Sequence, residues 1–171
     1  MLKEPKKKYL STAPPARIAI LVGSRNDFGF FDGARKKCEE MGLAYELHAL
    51  SAHRTPEQTR RFVLQAENRG IRIIIAAAGA AAHLAGFVAA HTTLPVIGVP
   101  LNTSPLLGLD SLLATVQMPE GIPVATMAIG AAGATNAVLY AASILALDDK
   151  ELAARLKRHR AGLAARVLNP Q

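Results

Sequence analysis

The sequence predicts an α/β protein in which a parallel β-sheet is covered by helices on both faces, a three-layer α/β/α sandwich. Three observations predict it. Five short aliphatic runs recur along the chain, most of them ending at a glycine- or proline-containing turn. Segments of helical length separate the runs, so strands and helices alternate and the strands lie parallel in one sheet. The 171 residues are 50% apolar and 19% charged, the size and balance of one domain around one core. The strand order expected for such a sheet is 2-1-3-4-5.

Residues 17–22 read as a buried first strand, because the run is β-branched and aliphatic and stops at Gly23-Ser24-Arg25-Asn26-Asp27. A helix follows to Met41 and is stopped by Gly42. Residues 45–50 alternate polar Glu46 and His48 with apolar neighbours, as a strand near a sheet edge does. Thr55-Pro56-Glu57 opens the second helix, Thr55 as N-cap and Pro56 in the first turn, and Gly70 closes it. Residues 72–77 form the third strand, 83–91 the third helix and 95–99 the fourth strand. Asp110 or Ser111 caps a helix that reaches Met118, Pro119 breaks it, and residues 124–129 are the fifth strand. Two alanine-rich helices, 132–147 and 149–168, end the chain. Ala134, Ala137, Ala141, Ala142 and Ala146 leave the first of these poor in large apolar surface, so it is expected to pack on another subunit. Leu152, Leu156, Leu163 and Val167 give the last helix a second apolar stripe that needs cover.

The net charge of +7 is compatible with a nucleic acid, an anionic membrane or an anionic small substrate. Its distribution narrows the choice. Lys3, Lys6, Lys7 and Lys8 lie in a proline-containing segment, residues 1–15, expected to be a disordered basic tail ahead of a single domain at 16–168. Arg155, Lys157, Arg158, Arg160 and Arg166 lie near the other end. Neither cluster is interleaved with aromatics or carries a nucleic-acid motif, so both read as solvated faces and no nucleic-acid partner is expected. No apolar core follows the basic N-terminus as it would in a signal peptide. Residues 73–90 approach the length of a membrane span, but Gly79, His83 and Gly86 interrupt them, and a strand, turn and helix account for them better. Cys38 is the only cysteine, which rules out an intrachain disulfide and a cysteine-based metal cluster and fits a reducing, cytoplasmic compartment.

In an open parallel sheet the ligand binds outside the carboxyl ends of the strands, where the strand order reverses. The loops after strands one, two and three therefore meet there. In the first, Ser24 can donate to a phosphate and Asp27 can receive a ribose hydroxyl at the mouth of a helix, although simple capping would place the same residue types here. The loop is neither a P-loop nor a dinucleotide fingerprint. The second loop, Ser51-Ala52-His53-Arg54-Thr55-Pro56, joins a side chain that exchanges protons near neutral pH to a planar cation that grips phosphate. The third, Ala78-Gly79-Ala80-Ala81-Ala82-His83-Leu84, lets backbone amides approach a ligand closely. His83 either faces the ligand or merely caps the next helix. His48, His91 and His159 share no metal-ligand spacing with His53 and His83, so no metal is expected. Asn102-Thr103-Ser104 matches a glycosylation sequon that a cytosolic protein does not use.

These loops, with Gly98-Val99-Pro100, Asp110-Ser111-Leu112, Val116-Gln117-Met118-Pro119, Gly121-Ile122-Pro123 and Ala128-Ile129-Gly130, carry a family resemblance over residues 16–156. The chain resembles the N5-carboxyaminoimidazole ribonucleotide mutases, the bacterial-type branch of the aminoimidazole ribonucleotide carboxylase family. The resemblance implies a flavodoxin-like fold, no cofactor, a homo-octamer and a small ribonucleotide substrate, N5-carboxyaminoimidazole ribonucleotide, isomerised to 4-carboxy-5-aminoimidazole ribonucleotide in purine biosynthesis. It implies His53 as general acid and base with Ser51 beside it, Ser24, Asp27 and Arg54 on the ribose and phosphate, and Gly79, His83 and Leu84 as the remaining substrate-binding candidates. The chain departs from the family pattern at Ala77 and Ala80, where glycine is usual, at Ala85, where proline is usual, and at Asn26, where serine is common. A positive φ at Ala80 would strain the backbone by about 1 kcal/mol or more. Two other readings stand beside this one. The second branch of the family carboxylates aminoimidazole ribonucleotide directly and usually carries an Arg-Ser-Asn type third loop, which this chain lacks. A catalytically silent nucleotide-binding module is the other, opposed by the retention of His53 and Arg54.

Overall fold

The computed structural model describes residues 16–169, so the expected basic tail at 1–15 lies outside the described residues. Five strands, β1 (Ile18–Val22), β2 (Tyr45–Ala49), β3 (Ile73–Gly79), β4 (Val96–Leu101) and β5 (Ala125–Thr126), form one parallel sheet in the order 2-1-3-4-5. Among the described residues one α-helix follows each strand, α1 (Asp32–Glu40), α2 (Pro56–Ala66), α3 (Leu84–Ala89), α4 (Leu109–Val116) and α5 (Gly130–Leu145), and α6 (Lys150–Leu168) comes directly after α5. The central strands read as continuous apolar runs because both their faces are covered. Ile18, Ile20, Val22, Ile73, Ile75, Ile97 and Val99 point to a core shared with α1 and α5. Ala19, Leu21, Ile74 and Ala76, one residue out of phase, point to a second core with α2 and α3. Each isoleucine or leucine so buried stabilises the fold by about 1.5–3 kcal/mol relative to exposure.

β2 forms the sheet edge that its alternating polarity predicts, paired only with β1. His48, one of the polar residues of that alternation, is buried on the strand, beside Glu46 and tilted against the ring of Phe62. Between β1 and α1 the chain makes a 3-10 stretch, Arg25–Phe31, where one continuous helix was expected. Gly42 follows α1 at φ +62, and Gly70 ends a 3-10 turn after α2 at φ +88, so both predicted glycine stops occur in the left-handed region.

Several expectations need correction. Thr55 precedes α2 but makes no capping bond, because its hydroxyl turns back to the loop. α4 begins at Leu109 behind Gly108 (φ +92), so neither Asp110 nor Ser111 is its N-cap. Ser111 is buried one turn in, donating to the carbonyls of Leu101 and Gly108. β5 spans only Ala125–Thr126, and beyond it the chain folds tightly into α5, where a Cβ on Gly133 would stand 1.6 Å from the Ala128 carbonyl oxygen.

The alanine face of α5 belongs to this chain's own core. Ala134, Ala137, Ala141 and Ala142 are each 0% exposed within the chain, so they cannot be the surface that a neighbouring subunit covers. Small side chains let α5 approach the sheet and α1 closely enough that alanine suffices to fill the layer. The stripe on α6 divides: Leu152 is buried, whereas Leu163 and Val167 are exposed. No helix among the described residues is long and apolar enough to cross a membrane.

Candidate active site

The parallel register brings the carboxyl ends of β1, β2 and β3 to one edge, with Val22 beside both Ala49 and Ala77. The three loops that leave this edge meet, as the strand order requires. A cleft of about 280 Å³ opens among the second and third loops, lined by Ser51, His53, Arg54, Gly79 and Leu84, with the alanines between them completing the wall.

The second loop is held by hydroxyls. The N–H of Ser51 donates to Thr55 Oγ1 at 2.9 Å, and that hydroxyl donates back to the Ser51 carbonyl at 3.1 Å. The fully buried Thr59 hydroxyl donates to the Ser51 and Thr55 carbonyls, anchoring the turn to α2. Ser51 Oγ in turn accepts from the Arg54 N–H at 3.1 Å and faces its Nε at 3.5 Å. This mesh leaves the side chains of His53 and Arg54 exposed at the cleft while fixing the backbone that carries them.

Arg54 reaches across to the first loop, where Nη2 donates to the Gly23 carbonyl. Two of its five N–H groups are thus engaged, and the guanidinium keeps donors for an anion. Asp27 is buried close by, its carboxylate accepting from the Ser24 N–H at 3.0 Å, while Ser24 Oγ accepts from the Asn26 N–H at 3.3 Å. Burial raises the Asp27 carboxyl above its usual range, and the Ser24 N–H and the Arg54 charge oppose that rise. The capping role foreseen for Ser24 and Asp27 is therefore present. Neither residue lines the cleft itself; Arg54 links them to it.

His83 stands at the start of α3 without making a capping bond. Its Nδ1 lies 3.0 Å from Nε2 of His53, with the rings edge to face at 90°. His83 thus occupies the N-cap position of α3 by backbone alone, and its side chain is engaged with His53 instead. Ala80, three residues before His83 on the third loop, adopts φ +50, the strained conformation that a missing glycine would produce. Ala77 and Ala85, the other small substitutions, are buried in β3 and α3.

The sequence reading passed over the loop after β4. Thr103 presses against Gly79, where a Cβ would meet its Oγ1 at 1.7 Å, so the back of the cleft rests on a residue noted only as part of a sequon. Its polar, small residue types carried no distinguishing signal. Among the described residues, no three His, Cys, Asp or Glu side chains converge as a metal-binding group. Cys38 is buried away from the cleft, and burial pushes its thiol up to about 12, which keeps it protonated.

Comparison with known proteins extends the match beyond these loops. The family model described as AIR carboxylase matches residues 17–166. The N5-carboxyaminoimidazole ribonucleotide mutase of Escherichia coli K12 is 49% identical over 157 residues, covering 91% of this chain and 93% of that protein. The protein of the same name from Saccharolobus solfataricus is 51% identical over 142 residues, covering 83% and 89%. A crystal structure of Treponema denticola PurE superimposes with a TM-score of 0.80 at 28% identity, covering 88% of this chain and 93% of that one. On the sheet order, the loop constellation and these matches together, the chain belongs to the AIR carboxylase family.

Proposed function

We propose that this protein is a cytoplasmic isomerase of purine biosynthesis that converts N5-carboxyaminoimidazole ribonucleotide to 4-carboxy-5-aminoimidazole ribonucleotide. The observation that carries the reading is the joining of His53 and Arg54 on one braced turn at the ligand edge of the sheet. A proton-exchanging ring and a phosphate-gripping cation are what a carboxyl shift on a phosphorylated ribose requires.

In this reading Arg54 takes the phosphate, Ser24 and Asp27 the ribose and phosphate oxygens, and Ser51 holds the turn beneath. Gly79, His83 and Leu84 bound the base. His53 protonates the carbamate nitrogen, and the N–C bond breaks to release carbon dioxide. The cleft keeps carbon dioxide beside the ring until C4 attacks it, and His53 then removes the C4 proton. One proton is given and one recovered, so the residue ends the turnover as it began and no cofactor is called on.

Supplying the purified protein with N5-carboxyaminoimidazole ribonucleotide, and separately with aminoimidazole ribonucleotide plus bicarbonate, tests the reading. Much more efficient use of the first supports it. Preference for the second assigns the direct carboxylase activity instead, and loss of both leaves a silent nucleotide-binding module.

The same reading carries a homo-octamer. Leu106, Leu107, Leu109, Leu113 and Val116 are all at least 48% exposed on α4 and the loop before it, an apolar face that self-association would cover. Light scattering after size-exclusion chromatography checks it, and a fully active monomer of 18.1 kDa would refute it.

A further inference from the structure

His53 has two ring nitrogens, and one of them is taken. Nε2 lies 3.0 Å from Nδ1 of His83, and among the described residues no hydrogen bond reaches Nδ1 of His53. A hydrogen bond between two imidazoles needs one N–H and one lone pair, so its polarity fixes both tautomers at once. If His53 donates, both rings carry their proton on Nε2. If His83 donates, both carry it on Nδ1. A neutral histidine side chain intrinsically prefers the Nε2–H form, so the first polarity agrees with the preference of both rings and the second opposes both. His83 is free to serve as the acceptor, since it makes no capping bond to α3.

We infer that His83 is a positioning residue that holds His53 as its Nε2–H tautomer, so that Nδ1 of His53 is the atom that exchanges protons with the substrate. The second half of this assignment rests on the reading of His53 as acid and base. In the protonated ring Nδ1–H gives its proton to the carbamate nitrogen, which keeps the electron pair of the breaking N–C bond as carbon dioxide departs. After C4 has attacked carbon dioxide, the Nδ1 lone pair takes the C4 proton, and the C–H electron pair returns to the ring of the substrate. The Nε2–H···Nδ1 bond to His83 persists through both transfers, so the imidazole need not turn between them. The geometry serves this, because Nε2 of His53 faces His83 while Nδ1 takes no hydrogen bond among the described residues and is left for the substrate.

Long-range proton–nitrogen correlation NMR on uniformly 15N-labelled, ligand-free protein, at a pH where both rings are neutral, reads the tautomer directly. The parent is expected to show His53 with a protonated Nε2 and an unprotonated Nδ1. His83→Phe, which removes the acceptor, should give a mixture of tautomers and lower kcat by about 10-fold or more with a smaller change in KM. His83→Asn, whose carboxamide oxygen can stand near the position of Nδ1, should retain the parent tautomer and more of the turnover. A His53 protonated on Nδ1 in the parent, or an unchanged tautomer in His83→Phe, overturns the inference. The spectrum is recorded without substrate, so a parent inactive toward N5-carboxyaminoimidazole ribonucleotide would sink the functional reading while leaving the tautomer assignment to its own result.

Discussion

The side chain of Thr103 occupies the space that a Cβ on residue 79 would need, with Oγ1 1.7 Å and Cβ 2.9 Å from that position. The end of β3 and the loop after β4 are thereby locked together at the back of the cleft, and only glycine fits. Gly79→Ala is expected to lower stability by about 1–3 kcal/mol through overpacking and to displace the cleft wall. Pairing it with Thr103→Gly should recover part of the loss, measured by urea unfolding. A Gly79→Ala protein as stable as the parent would show that the two segments are not held in contact.

Ala80 sits at φ +50 in the next position, whereas Ala81 has no such conformation. Replacing Ala80 by glycine removes a left-handed penalty of about 1–2 kcal/mol but adds about 0.4–1 kcal/mol of unfolded-state entropy. Ala80→Gly should therefore be neutral to stabilising, while Ala81→Gly should destabilise by about 0.4–1 kcal/mol. Thermal unfolding of the two variants checks the sign, and equal losses at both positions would contradict a strained Ala80.

At the sheet edge Glu46 lies between His48, 3.2 Å away, and Arg69, 2.6 Å away, and Arg69 also stacks over Phe62. Burial alone would raise the Glu46 carboxyl; the partners His48 and Arg69 outweigh it, and the net direction is down. A carboxylate depressed in the folded state contributes stability that is complete above its unfolded value. That contribution is lost as the pH falls from about 4.5 through the lower folded value. Glu46→Gln should flatten the acid limb of stability over that interval, measured by urea midpoints across the pH series. An acid limb identical to the parent's would remove Glu46 as its source.

The parts of this molecule that were legible in the sequence are those set by local pattern. Ile18–Val22 and Ile73–Gly79 declare themselves because strands covered on both faces can hold nothing but apolar or small residues. Gly42 and Gly70 mark helix ends because only a residue without Cβ takes their φ cheaply. What stayed hidden depends on approach distances. Alanines along α5 look too small to build a layer until α5 is seen against α1, where a Cβ on Gly33 would stand 3.2 Å from Thr135 Oγ1. β5 ends after two residues, shortly before the chain enters α5. The proximity of His53 and His83, thirty residues apart in the chain, follows from the ends of β2 and β3 lying on either side of β1. Sequence could place both on the ligand edge but could not say that they touch.

Arg54 is the cation that spans the first and second loops, from Ser51 to the Gly23 carbonyl. Arg54→Ala should weaken substrate binding by about 10-fold or more, the worth of a charged hydrogen bond. Arg54→Lys should weaken it less, keeping the charge and losing the fork. Calorimetric titration with the substrate nucleotide distinguishes them, and two variants that bind like the parent would move the phosphate site elsewhere.

The central claim, that His53 moves the proton in a carboxyl shift, is tested most directly by the turnover of N5-carboxyaminoimidazole ribonucleotide by His53→Asn beside the parent. Asparagine keeps much of the shape but cannot exchange protons at neutral pH, so kcat should fall by at least about 100-fold while substrate binding is largely retained. A variant that turns over at near the parent's rate would contradict the account.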